Sequence, residues 1–128
     1  MLSTGWSKDI TVIAHQNFPK NHLNAKTIKA IYLDKKRFIA DKKILPINYA
    51  FDNVLRECFE RGILKKSRYG LESYWRSAHY KGKTPPKVVK SQKMLFQYVE
   101  NVDMAIGYID TNFPRDNEFK VLYKGRCP

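Results

Sequence analysis

The sequence predicts an α/β fold, a mixed central sheet of about four strands flanked by about four helices. Three observations predict it. Four short, β-prone apolar runs occur, at Ile10–Ala14, Ile44–Ile47, Ala105–Ile109 and Phe119–Tyr123. Between most of them lie stretches whose apolar residues recur at helical spacing. Runs of the two kinds alternate along the chain, the pattern of layered α/β domains rather than of bundles or barrels.

The elements follow in order. Ile10–Ala14 is the first strand, and a polar loop, Gln16 to His22, leaves it. Asn24 is placed to cap a helix whose inward face is Leu23, Thr27, Ile28, Ile31 and Tyr32. Leu33 to Lys43 reads as a charged connection, and Ile44–Ile47 as a second strand. Pro46 argues that this strand lies at an edge or is ending. Asp52 is placed to cap a second helix reaching about Arg61, with Phe51, Leu55, Cys58 and Phe59 on one stripe and Gly62 as its stop. A third helix spans about Ser67 to His79, with Leu71, Tyr74, Trp75 and Ala78 inward and Glu72 able to pair with Arg76. Pro85-Pro86 makes Lys81 to Lys90 an extended connection. Ser91 caps a fourth helix with the stripe Leu95, Tyr98, Val99 and Val102. The strand Ala105–Ile109 contains Gly107, which predicts a close backbone approach or a bend. A polar turn, Asp110 to Glu118, leads to the last strand.

The 128 residues suffice for a single domain, with its core in about 9–110 and a C-terminal strand and tail in 111–128. No apolar run approaches the ~18 residues that span a bilayer. Met1 to Lys8 lacks the apolar region of a secretion signal, as would a mature chain from which the signal has been removed. The net charge is +12, which favours anionic partners: nucleic acid, anionic lipid, phosphate-like solutes or an acidic protein. The basic residues are scattered, as on an ordinary solvated surface. Two cysteines, Cys58 and Cys127, match no zinc or redox spacing. They read either as a buried Cys58 and an incidental Cys127, or as a disulfide that pins the tail in an oxidising compartment.

Catalytic signatures are missing from the sequence. No Gly-x-Ser-x-Gly turn, phosphate loop or dinucleotide fingerprint occurs, and no His or Cys spacing suits a metal. The expectation is a non-enzyme without cofactor or metal. His15 ends the first strand and His22 precedes the first helix, so both could line the same rim or be ordinary surface residues. Tyr32, Phe59, Tyr74, Trp75 and Tyr98 read as packing, which leaves Trp6 and Phe18 as the exposed aromatics a nucleic-acid binder would use. No helix-turn-helix, RNP-like or zinc-finger signature accompanies them.

Four blocks in order carry a resemblance: Val12 to Leu33 with its Asn17-Phe18-Pro19 loop; Ile44-Leu45-Pro46-Ile47-Asn48; Tyr74-Trp75-Arg76 running into Lys81 to Pro86; and Ala105 to Ile109. Together, from about Ile10 to Asp110, they resemble the substrate-binding proteins of phosphate ABC transporters, in the type II periplasmic-binding-protein-like group. The resemblance implies a single lobe of a fold that usually has two, a periplasmic location, a phosphate-like small anion as ligand, and an ABC permease or other membrane-associated protein as partner. A lone lobe supplies half a cleft, so self-association is a further expectation. One departure stands out. Where phosphate-holding members place an Arg and a Gly-Ser-Gly-Thr type loop, this chain reads Asn48 to Arg56, with no glycine and with Asp52 near the expected anion.

The expected site is the rim formed by the loops after the first two strands, taken as the carboxyl end of the sheet. Its residues are Asn17, Lys20, Asn48, Asn53 and Arg56. Amides would bond anion oxygens and Arg56 would offer a bidentate fork. The alternative is that Asn17 and Asn48 shape turns while Arg56 faces solvent or pairs with Glu60 at i+4. Two other functions fit the same sequence: a basic nucleic-acid-binding module, and a protein-interaction or sensor lobe without a small ligand.

Overall fold

A computed structural model describes residues 9–112 and 119–127. It contains β1 (Asp9–Ala14), α1 (Ala25–Tyr32), a short hairpin of β2 (Phe38–Ile39) and β3 (Lys42–Lys43), and β4 (Leu45–Tyr49). Then come α2 (Val54–Phe59), which widens into a π turn over Glu60–Leu64, and α3 (Arg68–His79). The chain ends with β5 (Lys87–Val89), α4 (Gln92–Asn101), β6 (Ala105–Asp110) and β7 (Lys120–Arg126).

Five strands form the main sheet in the order β5-β4-β6-β1-β7. β4 runs parallel to both β5 and β6, whereas β1 runs antiparallel to β6 and β7. The sheet is thus mixed, as expected, with one strand more than the four predicted. The additional strand is β5, within the Pro85-Pro86 connection. The chain steps from β4 to β5 in one direction and from β5 past β4 to β6 in the other. Right-handed crossovers then place α2 and α3 on one face of the sheet and α4 on the opposite face.

Two adjacent residues of β6 show these layers, since neighbours on a strand point to opposite faces. A Cβ on Gly107 would lie 2.7 Å from Leu95 of α4, so this glycine admits the helix, the close approach that the sequence predicts. Tyr108 instead stacks on Phe59 of α2, with ring centroids 3.9 Å apart, and meets Tyr32 of α1 edge-on.

Pro46 is the second residue of β4, and β4 is an interior strand. The proline is tolerated because β5 starts opposite Ile47, so the missing N–H falls before the β4–β5 ladder begins. On the other side, the β4–β6 pairing stops at Pro46 and Ile106. Beyond that point tyrosine hydroxyls serve the carbonyls. Tyr32 Oη lies 2.9 Å from the Ile47 oxygen and 3.2 Å from that of Ile106, and Tyr49 donates to the Tyr108 oxygen at 2.6 Å. Every one of these phenols is pushed up in pKa, chiefly by burial, as is Tyr108.

Helix caps largely follow the sequence. Asn24, Ser67 and Ser91 each accept from the backbone N–H three residues ahead. The cap of α2 is Asn53, not Asp52: Asn53 Oδ1 accepts from the N–H groups of Leu55 and Arg56. Gly62 does not end that helix. The π turn carries it to Leu64, and Lys65, with φ of 53°, closes it.

Two aromatic assignments are also corrected. Phe18 is fully buried, and Phe51 is 59% exposed. Trp6 lies outside the described residues, as does most of the turn between Asp110 and Glu118. The cysteines are joined: Cys58 of α2 forms a disulfide with Cys127, which anchors the end of β7 beside the π turn.

Candidate functional site

The five expected site residues do not share one rim. Because β1 is antiparallel to β6, its carboxyl end, Ala14, lies beside Ile106 near the start of β6. β6 and β4 are parallel, so the loop after β4 leaves from the opposite end of the sheet. Asn17 and Lys20 are therefore at one end, both exposed, while Asn48, Asn53 and Arg56 are at the other. Lys20 lines a separate surface depression with His22, Asn24 and Thr27. His15 is occupied locally: its Nδ1 accepts from the Asn17 N–H at 2.9 Å and lies 3.5 Å from Asp103.

At the second end, Asn53 spends its side chain on capping α2. Asn48 and Arg56 do come together. Both line a pocket of about 230 Å³ between β4, β5, the α2–π segment and α3. Asn48 is buried, and its Oδ1 accepts from the Tyr108 hydroxyl and the Tyr49 N–H. That arrangement fixes the amide so that its nitrogen, a donor only, is the remaining polar atom. Among the described residues, nothing accepts from it.

Arg56 is held by two contacts. Its Nε donates to Glu60 Oε2 at 2.8 Å, and its Nη1 donates to the Tyr49 oxygen at 2.9 Å. The predicted i+4 pairing with Glu60 is thus present. Nη2 is left without a bond among the described residues.

Glu60 is 2% exposed, and a second cation compensates it: Arg68 Nε lies 3.4 Å from Glu60 Oε1. Arg68 reaches this place because the left-handed turn at Lys65 reverses the chain just before α3. Arg68 also stacks on Phe51, 3.9 Å from the ring centroid, which accounts for that exposed aromatic. Two guanidinium groups thus face one carboxylate, a local excess of one positive charge. The Arg68–Glu60 contact is a charge pairing without a hydrogen bond: Glu60 Oε1, Arg68 Nε and Arg68 Nη2 are all buried without a hydrogen-bond partner among the described residues.

The other walls come from α3 and the proline segment. The Tyr74 hydroxyl donates to the Leu33 oxygen at 2.6 Å, which sets α3 against the end of α1. Asp34 then fixes the proline segment, accepting from the Thr84 N–H at 2.9 Å, while Lys83 Nζ donates to its carbonyl at 3.0 Å. Trp75, Pro85 and Pro86 are thereby placed around the pocket. Sequence reasoning did not name Glu60, Arg68 or Trp75 as site residues. Only the Arg56–Glu60 spacing signalled one of them. Among the described residues no group of three or more His, Cys, Asp or Glu side chains could hold a metal ion.

The sequence matches no protein-family model and no curated protein. Solved structures are similar to it in fold. An ABC-type phosphate transport receptor from Vibrio cholerae superposes with a TM-score of 0.71 at 17% identity, covering 91% of this chain and 46% of that one. A structure from Clostridium perfringens, described as a phosphate ABC transporter substrate-binding protein with bound phosphate, gives 0.71 at 20% identity, over 91% and 44%. PstS from Borrelia burgdorferi gives 0.63 at 15% identity, over 82% and 41%. The chain spans less than half the length of each of these structures. It therefore shares its α/β fold with a little under half of each of these structures.

Proposed function

We propose that this chain is a non-enzymatic solute-binding domain that takes a small anion at the pocket holding Asn48 and Arg56. The observation that carries the reading is the pairing of two spare donors, the Asn48 amide and Arg56 Nη2, beside a cluster with one uncompensated positive charge. The pocket adjoins the carboxyl halves of β4 and β5. These neighbouring strands send their following helices to opposite faces, and open α/β sheets hold ligands at such a reversal. The fold shared with phosphate-transport receptors supports the same class of role.

An exported, periplasmic location goes with this reading. The Cys58–Cys127 disulfide supports it, since such bonds persist in oxidising compartments. A membrane permease or a second copy of the chain would complete the half cleft. The test is calorimetric titration with phosphate, sulfate and acetate at low ionic strength, with Arg56→Ala as control. Saturable binding that weakens by about tenfold or more in the variant is expected, the loss of one charge-assisted hydrogen bond. Absence of both heat and thermal shift with every anion overturns the reading.

A second reading has its own observation. Arg61, Lys65, Lys66 and Arg126 line a shallow depression of about 770 Å³ around Cys127, a surface suited to a polyanion such as nucleic acid. Binding of a labelled oligonucleotide that falls steeply with salt supports this reading, and no binding at low salt removes it.

A further inference from the structure

We infer that the ligand of the Asn48–Arg56 pocket is a small organic monocarboxylate with an apolar body, not an inorganic oxyanion. The inference rests on the anion-binding reading above and narrows it.

The polar part of the lining is sparse and lies on one side. It consists of Tyr32, Asn48, Arg56 and Glu60. The Tyr32 hydroxyl is committed to backbone oxygens, and Glu60 to the two arginines. The donors left over are the Asn48 amide and Arg56 Nη2. Two donor groups match the two oxygens of a carboxylate. They are too few for a four-oxygen dianion, whose remaining oxygens would lose water without compensation. Glu60 adds to the discrimination. A carboxylate in the lining opposes a second negative charge, while the net single positive charge of the Arg56–Glu60–Arg68 cluster balances one.

The rest of the wall is apolar: Leu64, Leu71, Trp75, Pro85, Pro86 and Val88. An inorganic oxyanion has nothing to offer these surfaces, whereas an aromatic or aliphatic body gains by covering them. Val88, on the edge strand β5, is exposed until something covers it. The pocket's volume of about 230 Å³ suits a molecule of a few to a dozen heavy atoms.

The test uses the full chain and the fluorescence of Trp75, isolated by Trp6→Phe because the sequence has only two tryptophans. Benzoate, hexanoate and inorganic phosphate are titrated separately. The expected result is a saturable change of Trp75 emission with benzoate and hexanoate that phosphate does not compete away. Asn48→Asp keeps the oxygen that Tyr108 and Tyr49 use but removes the amide donors and adds a carboxylate to the lining. It should weaken organic-acid binding by about tenfold or more, with an unchanged circular-dichroism spectrum. Phosphate binding that depends on Arg56, with organic acids inert or indifferent to Asn48→Asp, overturns this inference and leaves the anion-binding reading standing. Failure of all three probes, by fluorescence and by calorimetry, overturns both.

Discussion

Glu60→Gln is the most informative single change. The Glu60 side chain is 2% exposed and lies between Arg56 at 2.8 Å and Arg68 at 3.4 Å. At an effective dielectric near 20, the two attractions are worth about 5–6 kcal/mol each before desolvation is subtracted. Breaking a buried ion pair by removing one partner costs about 3–5 kcal/mol. Glutamine retains an oxygen that can accept from Arg56, and both arginine side chains keep some exposure, although Arg68 Nε and Nη2 are buried. The loss should therefore lie at the lower end, about 3 kcal/mol. Urea unfolding followed by circular dichroism measures it. Added salt should shrink the loss, because the variant leaves two guanidinium groups facing each other. The same change raises the local charge, so an anion bound beside Arg56 should bind more tightly even as the fold weakens. A stability loss under about 1 kcal/mol would refute the argument that the cluster is buried and coupled. A simultaneous fall in anion affinity would refute the placing of the ligand beside Arg56.

Three further outcomes are expected. Tyr32, Tyr49 and Tyr108 have pKa values raised in the folded state, so their contribution is complete below the usual phenol value of about 10 and diminishes as pH rises above it, by about 1.4 kcal/mol per pH unit for each tyrosine; urea midpoints measured on both sides of that pH, with tyrosinate absorbance, check this. Cutting the Cys58–Cys127 bond by a double alanine replacement should cost about 4 kcal/mol on the chain-entropy account, since it spans 69 residues; equal unfolding curves for the oxidised and alanine forms would contradict it. Gly107→Ala should cost about 1–3 kcal/mol through overpacking against Leu95, and pairing it with Leu95→Ala should give a double variant more stable than the sum of the two losses.

Much of the scaffold is legible in the residues. β1, β4 and β6 are apolar runs, and the caps Asn24, Ser67 and Ser91 are side chains with a local job. Gly107 signals the close approach of α4, because a residue without a side chain in the middle of an apolar strand leaves room that a packed neighbour fills. β5 escapes because its residues follow two prolines and begin with a lysine, and only β4 next to it makes it a strand. Asp52 and Asn53 are both competent caps, and backbone geometry chooses between them. The site is harder to read. A strand's direction in the sheet is a tertiary fact absent from its own sequence, so loop order alone groups Asn17 and Lys20 with residues at the far end. Arg56–Glu60 is visible as a helical spacing. Arg68 is not, since the reversal at Lys65 that delivers it depends on a left-handed residue no local pattern announces.

The place of β1 has a consequence for how the molecule assembles. β1 is the seam between two strands that follow it late in the chain order: Ile10 must wait for Asp110 on one flank and Gly125 on the other. Such distant partners make self-assembly slow and late, because the loop must close before any reward is collected. Until β6 and β7 emerge, Val12 and Ile13 of a nascent chain lack the strands that flank them, and that interval is when a holding chaperone would find it.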